Sequence, residues 1–526
     1  MDFSISIVTG KKEFIDDFRY LFKETKVVEL DNCVHEYISK NIPIVVCDIQ
    51  DNMNDYCGIL SRFNNKVFML YDYIDVWAEY EMWKRSNGRK IVIWGCGNNG
   101  ADFLAKLKRI KPEVFIDSKD DKTDYFYGIP RIHPDRVEKG FWNDKFVIVA
   151  SIYYDQIKET LKKKGLEEFA DFISFTIFDY SKTNYIKRSI FEKRDIEWTC
   201  MDPFNIARLN MFGSIYACHR PAWTSLCIGN AYRDSYNLIK ESMIYRAYCL
   251  SVKNGNYVFC NKTKCQMLIE QRQADDSMKR FGDKKIVCAD YDDSCNLYCE
   301  SCRNKISVSQ SDQKDYLHNY FVKYMLPTAD VLMVAGNGEV FLSRYYRRLL
   351  EESRDLKGLI ILTNGLLSSE EVIIDLKRKV CKKIAVLVSV DAATESTYKT
   401  IRRGGNWEIL SNKLEELGSL RNEDKICFLG LVYVVQKKNH SEMCRFVRLA
   451  DKINADSVNF IAIDNWGTFK EDEFEKISMY KNGQPKKDLE MSLLELAQLD
   501  DVKTDIYVQD CYVFRKNVYT HLFCDE

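Results

Sequence analysis

Between Lys284 and about Phe469, short apolar runs alternate with helical stretches: Val331 to Val334, Gly358 to Leu362, Ile384 to Val390, Phe428 to Val435 and Val458 to Ile463. Runs of this kind suit strands buried on both faces, and such strands separated by helices build a parallel sheet. The alternation restricts this region to a parallel α/β fold with its ligands at the carboxyl ends of the strands. At 526 residues the chain is too long for that fold alone. The reading divides it into a small α/β unit at 1–87, a second α/β domain at 88–190, a cysteine-rich module at 195–275, the parallel repeat at 284–475 and a tail at 476–526.

Lys+Arg 77 against Asp+Glu 78 leaves a formal charge of −1, so no basic field exists to hold a nucleic-acid backbone. The start, Met1-Asp2-Phe3-Ser4, lacks the basic and apolar regions of a signal peptide, and no apolar run is long enough to span a bilayer. The expectation is a cytoplasmic protein with neither a nucleic-acid nor a membrane partner. A reducing compartment disfavours disulfides among the 19 cysteines and favours metal ligation or catalysis. Ten of the 19 fall between Cys200 and Cys302, which places the chemistry there.

The second domain opens with the apolar strand Lys90 to Trp94, then Gly95-Cys96-Gly97-Asn98-Asn99-Gly100, then a helical stretch from Ala101 to Ile110. This is G-x-G-x-x-G between a strand and a helix, followed by Asp117 at the end of a second strand, Val114 to Ile116. Gly95, Gly97 and Gly100 would let backbone N–H groups approach a pyrophosphate, and Asp117 would bind a ribose hydroxyl. The plain alternative is that the glycines only pack helix on strand. The stretch from Lys90 to about Ile173 resembles the Rossmann-like domains attached to enzymes of bacterial surface-polysaccharide and nucleotide-sugar metabolism, which implies a nucleotide or nucleotide sugar as ligand.

Just before the parallel repeat, Cys295, Cys299 and Cys302 form C-x3-C-x2-C. Three thiolates in one loop can hold three irons of a cubane cluster and leave the fourth open. Zinc would need a fourth Cys or His nearby, and the next 15 residues offer none. His318 reads as an ordinary surface or packing residue. With Gly336-Asn337-Gly338-Glu339, Thr363-Asn364-Gly365, Val388-Ser389-Val390-Asp391 and Ile401-Arg402-Arg403-Gly404-Gly405 following in order, the region resembles the radical S-adenosylmethionine enzymes.

That resemblance implies a partial (βα)6 barrel in which Cys295, Cys299 and Cys302 hold a 4Fe-4S cluster whose open iron binds S-adenosylmethionine. It places the methionyl amino group at Gly336, Gly338 and Glu339, the ribose at Ser389 and Asp391, and the carboxylate at Arg402. Ser301 stands where many members carry an aromatic residue beside the adenine. The implied chemistry is reductive cleavage to a 5′-deoxyadenosyl radical that abstracts hydrogen from a substrate. An electron donor such as flavodoxin or ferredoxin, and oxygen sensitivity, follow from it.

Upstream, Cys200, Gly213 and Cys218 give C-x12-G-x4-C, with Cys260 and Cys265 beyond. The arrangement resembles a SPASM module. This implies an auxiliary 4Fe-4S cluster on Cys200, Cys218, Cys260 and Cys265, with Cys227 or Cys249 as substitutes and zinc as the alternative metal. The module here precedes the barrel, whereas in most relatives it follows. Domain analogy puts a carbohydrate or nucleotide-linked sugar first as substrate and peptide or protein modification second. A non-catalytic, metal-stabilised nucleotide-binding scaffold is the reading from another class. Cys33, Cys47, Cys57, Cys381, Cys427 and Cys444 read as buried small hydrophobes.

Overall fold

The structure, a computed structural model, describes residues 85–175, 200–269 and 284–523 with short gaps, Met82, and four strands nearer the N-terminus. Cys33, Cys57 and Cys524, and most of 1–87, lie outside the described residues. The chain forms two compact units. One comprises Met1–Ile196, Phe212–Ser214 and Thr224–Cys260, and the other Glu197–Met211, Ile215–Trp223 and Asn261–Glu526.

In the first unit, strands β1 (Ile7–Gly10), β2 (Lys26–Glu29), β3 (Ile44–Cys47) and β4 (Val67–Met69) form a parallel sheet in the order β2-β1-β3-β4. A second sheet holds β5 (Lys90–Trp94), β6 (Val114–Ile116), β7 (Tyr125–Phe126), β8 (Ile129–Ile132), β9 (Lys145–Val149) and β10 (Phe172–Ser174), ordered β10-β9-β5-β6-β8-β7. All its pairs are parallel except the β7–β8 hairpin. Helix α1 (Asn98–Lys106) joins β5 to β6, and α2 (Tyr154–Lys163) joins β9 to β10. The order reverses at β5, so the glycine loop after β5 and the loop after β9 flank a topological switch point, where doubly wound sheets bind ligands. Both sheet faces are apolar, with Ile91, Ile93 and Phe115 on one side and Val92, Trp94 and Ile116 on the other.

The second unit is built on the expected alternation. Strands β11 (Ile206–Asn210), β12 (Ser214–Tyr216), β13 (Ile286–Asp290), β14 (Val331–Val334), β15 (Gly358–Thr363), β16 (Ile384–Ser389), β17 (Phe428–Val435), β18 (Ser457–Ala462) and β19 (Asp505–Val508) pair in the order β12-β11-β13-β14-β15-β16-β17-β18-β19. Every pair from β11 to β19 is parallel, and β12 runs antiparallel to β11. The crossovers carry α3 (Asp312–Tyr320), α4 (Arg344–Glu352), α5 (Glu370–Lys379), α6 (Glu395–Ile401), α7 (Trp407–Asn422) and α8 (Met443–Lys452). Ser311, Ser343, Ser369, Thr394 and Asn406 cap five of them by accepting a backbone N–H, as polar N-cap residues do.

Two features were not read from the sequence. Ile206 to Asn210, within the cysteine-rich stretch, adds a parallel strand beside β13. The tail folds into helix α9 (Cys511–Phe523), whose Phe514, Val518, Tyr519 and Leu522 cover one sheet face formed by Ile286, Cys288, Met333, Ile360, Leu387 and Phe428. On the opposite face, Phe446 of α8 packs against Tyr433 and Phe460, with ring centroids 4.6 and 6.1 Å away. Both faces are thus sealed, which leaves the strand ends as the open part of this fold. Among the described residues, no helix is long and apolar enough to cross a membrane.

Candidate functional site at the carboxyl ends of the parallel strands

The loop after β13 carries Cys295, Cys299 and Cys302, and neighbouring strand ends hold its backbone. Cys295 exchanges backbone bonds with Ser307, and Ser294 O accepts the Glu339 N–H at 2.7 Å. From the segment after α6, Arg403 O accepts Tyr298 N–H and Ile401 O accepts Glu300 N–H. The Arg403 guanidinium donates to Tyr298 O at 3.0 Å and lies over the Tyr298 ring. At the loop's base, buried Lys314 pairs with Asp292 and Asp293, while Tyr346 Oη bonds the N–H and carbonyl of Asp292. His318 is a packing residue as expected, fully buried against Tyr291 Oη at 3.0 Å.

Each thiol has an N–H partner from a side chain. Asn364 Nδ2, at the end of β15, reaches Cys295 Sγ at 3.9 Å, and Leu297 N reaches it at 3.4 Å. Arg402 reaches Cys299 Sγ at 3.7 Å, and Arg303 donates twice to Cys302 Sγ at 3.3 Å. Cys299 is buried, Cys295 half-buried and Cys302 exposed. Burial pushes the Cys299 thiol up and Arg402 opposes it; at Cys295 burial acts against the Leu297 N–H. Among the described residues no three Cys, His, Asp or Glu side chains converge on one metal ion. A single zinc needs its sulfurs about 2.3 Å from one point, whereas a cubane seats each on its own iron.

The other predicted residues lie on adjacent strand ends. Gly336 adopts φ 119°, and a Cβ there would stand 2.5 Å from the Asp290 carboxylate; one at Gly338 would meet Ser294 O at 2.9 Å. These glycines let the turn after β14 lie against the chain that leads into the cysteine loop. Glu339, 1% exposed, spends its carboxylate on this chain: it accepts Asn364 N–H and Thr363 Oγ1 at 2.7 Å and Phe341 N–H at 3.2 Å. It therefore clamps two strand-end loops together. Burial raises its pKa against those bonds.

Ser389 ends β16, and Asp391 follows it at φ 64°. Asp391 accepts Val434 N–H at 2.7 Å and pairs with Arg402 at 2.8 Å, so Arg402 bridges Asp391 and Cys299. Burial raises the Asp391 pKa, and Arg402 opposes that rise. Asn439 Nδ2 bonds Asp391 O, and Glu442 accepts from Ala393 N, Thr394 Oγ1 and Thr397 Oγ1, which fixes this loop from behind. Among the described residues at this mouth, Tyr398 Oη, Arg402 Nε and both polar atoms of the Gln436 amide are buried without a hydrogen-bond partner. Unsatisfied buried polar atoms are costly and call for a partner. Together with three thiols and no fourth protein thiolate in the loop, they fit a cluster and a polar organic ligand.

Asn364, Lys314, Tyr398, Gln436 and Arg303 were not picked out as site residues in the sequence. Arg303 had a local signal, since it directly follows the third cysteine, and Asn364 lies in the Thr363-Asn364-Gly365 motif; Lys314, Tyr398 and Gln436 come from other strands and helices.

In the cysteine-rich stretch, Cys200, Cys218 and Cys265 belong to the second unit and Cys260 to the first. Burial drives the Cys218 thiol far up, with Cys265 adding to the rise, and burial raises Cys265 too. Beside Cys218, Asp202 accepts His219 N–H at 3.0 Å and pairs with buried Arg515 at 2.8 Å. Cys227 donates its thiol to Gly229 O at 2.9 Å, and Cys249 is buried in a helix, so both are used in packing.

In the first unit's glycine loop, Gly95 has φ 126° and its N–H bonds Ile116 O, while Gly100 lies against Gly95 O. Gly97 opens to free space. Asp117 accepts the Cys96 N–H at 2.6 Å and faces Arg131 at 3.9 Å. The acidic residue thus closes the loop on itself.

No family model and no curated protein matches the chain. Among solved structures, Streptococcus suis SuiB bound to precursor peptide SuiA is similar over 48% of this chain and 55% of its own, at 13% identity and TM-score 0.33. SuiB bound to S-adenosylmethionine is similar over 61% and 74%, at 14% identity and TM-score 0.31. The structure of anSMEcpe with bound AdoMet is similar over 34% and 50%, at 20% identity and TM-score 0.27. The chain spans about half the length of the first and last of these.

Proposed function

We propose that the chain is a radical S-adenosylmethionine enzyme that modifies a peptide or protein. The observation that carries this is one loop of three thiols at the mouth of a parallel sheet, each bonded by a side-chain N–H and, among the described residues, none joined by a fourth thiolate. Cys295, Cys299 and Cys302 would hold the 4Fe-4S cluster, and the buried open valences of Tyr398, Arg402 and Gln436 would face S-adenosylmethionine. When bound, these groups supply one-electron cleavage of a sulfonium bond and hydrogen abstraction from the substrate.

The protein's own work is positioning. Arg402, charged beside Asp391, holds the first glycine-rich turn after α6 against the cysteine loop. Glu339 ties the β14 and β15 loops together, so that the site walls cannot drift apart. Apolar packing on both faces of the sheet, with α9 on one of them, keeps water from reaching the site through the sheet. Cys200, Cys218 and Cys265 are proposed as ligands of the auxiliary cluster.

The carbohydrate reading rests on domain analogy alone. Within that domain the Asp117 carboxylate accepts Cys96 N–H and faces Arg131, which supports peptide ahead of sugar as substrate class. The test is anaerobic reconstitution of the full chain with iron and sulfide. A lower iron content and weaker iron–sulfur absorbance in Cys295→Ala/Cys299→Ala/Cys302→Ala, with the auxiliary cluster's share retained, are expected; stoichiometric zinc with no iron uptake contradicts the proposal.

A further inference from the structure

We infer that Arg303 raises the reduction potential of the cluster held by Cys295, Cys299 and Cys302, an inference that rests on reading this loop as a cluster site. The Arg303 guanidinium presents Nε and one Nη to the same sulfur, Cys302 Sγ, both at 3.3 Å. Its other Nη donates to the Asp293 carbonyl, which fixes the fork in place. Arg303 O in turn accepts from the Arg403 guanidinium at 3.4 Å.

Each of the other two thiols takes one side-chain N–H, from Asn364 at Cys295 and from Arg402 at Cys299. At Cys302 the Arg303 guanidinium makes two N–H···S bonds, on the thiol that is most exposed to solvent. Reduction adds one electron to the cluster and increases the negative charge on its sulfur ligands. N–H donors and a fixed positive charge at a sulfur stabilise the reduced form more than the oxidised one, so the potential rises. A bidentate fork also resists replacement by lysine, which is a point charge without the planar geometry.

The experiment is an EPR-monitored redox titration of anaerobically reconstituted full-length protein: wild type, Arg303→Lys and Arg303→Gln. The signal is assigned by its absence from the Cys295→Ala/Cys299→Ala/Cys302→Ala protein, and iron content is measured in every sample. The expected result is a midpoint shifted to more negative potential in Arg303→Gln, by a smaller amount in Arg303→Lys, at wild-type iron content. Equal midpoints in all three overturn the inference and leave Arg303 as an anchor for the Asp293 carbonyl. If Arg303→Gln retains no cluster, the Arg303→Lys midpoint decides in the same way. A wild type that takes up no iron and sulfide instead overturns the reading of the loop itself.

Discussion

At the scale of single residues, the second unit concentrates buried charge at the strand ends. Arg402 is the clearest case, since it ties Asp391 to the cysteine loop from within a buried site. Arg402→Gln strands the Asp391 carboxylate, and breaking a buried pair in this way costs about 3–5 kcal/mol. Urea denaturation of the metal-free protein should show that loss, and Arg402→Gln/Asp391→Asn should recover part of it, because no stranded charge then remains. Two histidines make a separate prediction. Burial is the main cause that holds His219 well below its ordinary value of 6.5 and lowers His318 from the same value. The unfolded chain therefore takes up protons near pH 6.5 that the folded chain refuses. Their contribution is complete above that pH and is lost as the pH falls toward the folded values. Thermal midpoints measured from pH 7.5 down to about pH 5.5 should decline, with a shallower decline in His318→Gln.

At the scale of elements, the glycine loop of the first unit separates packing from binding. A methyl group at Gly100 runs into Gly95 O, whereas one at Gly97 meets nothing within 4 Å. Gly100→Ala should cost about 1–3 kcal/mol, and Gly97→Ala should stay within about 0.5 kcal/mol of wild type, both measured by chemical denaturation. The sequence made most of these elements legible because buried parallel strands read as unbroken apolar runs: Val331–Val334 and Phe428–Val435 are strands with the expected bounds. Ile206 to Asn210 was hidden because Arg208 interrupts its apolar run, and that arginine is accommodated only by pairing with Asp290 on the neighbouring strand. The same limit applies at the site. Cysteine spacing displayed the three thiols and motifs displayed Arg402 and the Thr363-Asn364-Gly365 turn, but the bonds from Asn364 and Arg402 to Cys295 and Cys299 cross 69 and 103 residues of chain, which only the sheet register brings near. Glu339 was legible as a site residue, yet its carboxylate turns inward to Thr363 and Asn364.

At the scale of the whole molecule, the chain is a mixed α/β protein in which the C-terminal helix covers one face of the sheet that presents the cysteine loop. Phe514 packs with ring centroids 6.2 Å from Phe428 and 5.9 Å from Tyr507. Phe514→Ala should therefore lower stability by about 3–5 kcal/mol in denaturant titration, although it lies far along the chain from Cys295, Cys299 and Cys302. The central claim is that the cysteine loop supports radical chemistry. Its most direct test is mass-spectrometric detection of 5′-deoxyadenosine after the reconstituted full chain is incubated anaerobically with S-adenosylmethionine and dithionite. The account predicts product from wild type and none from Cys295→Ala/Cys299→Ala/Cys302→Ala; equal product from both, or a wild type that binds zinc and no iron, would contradict it.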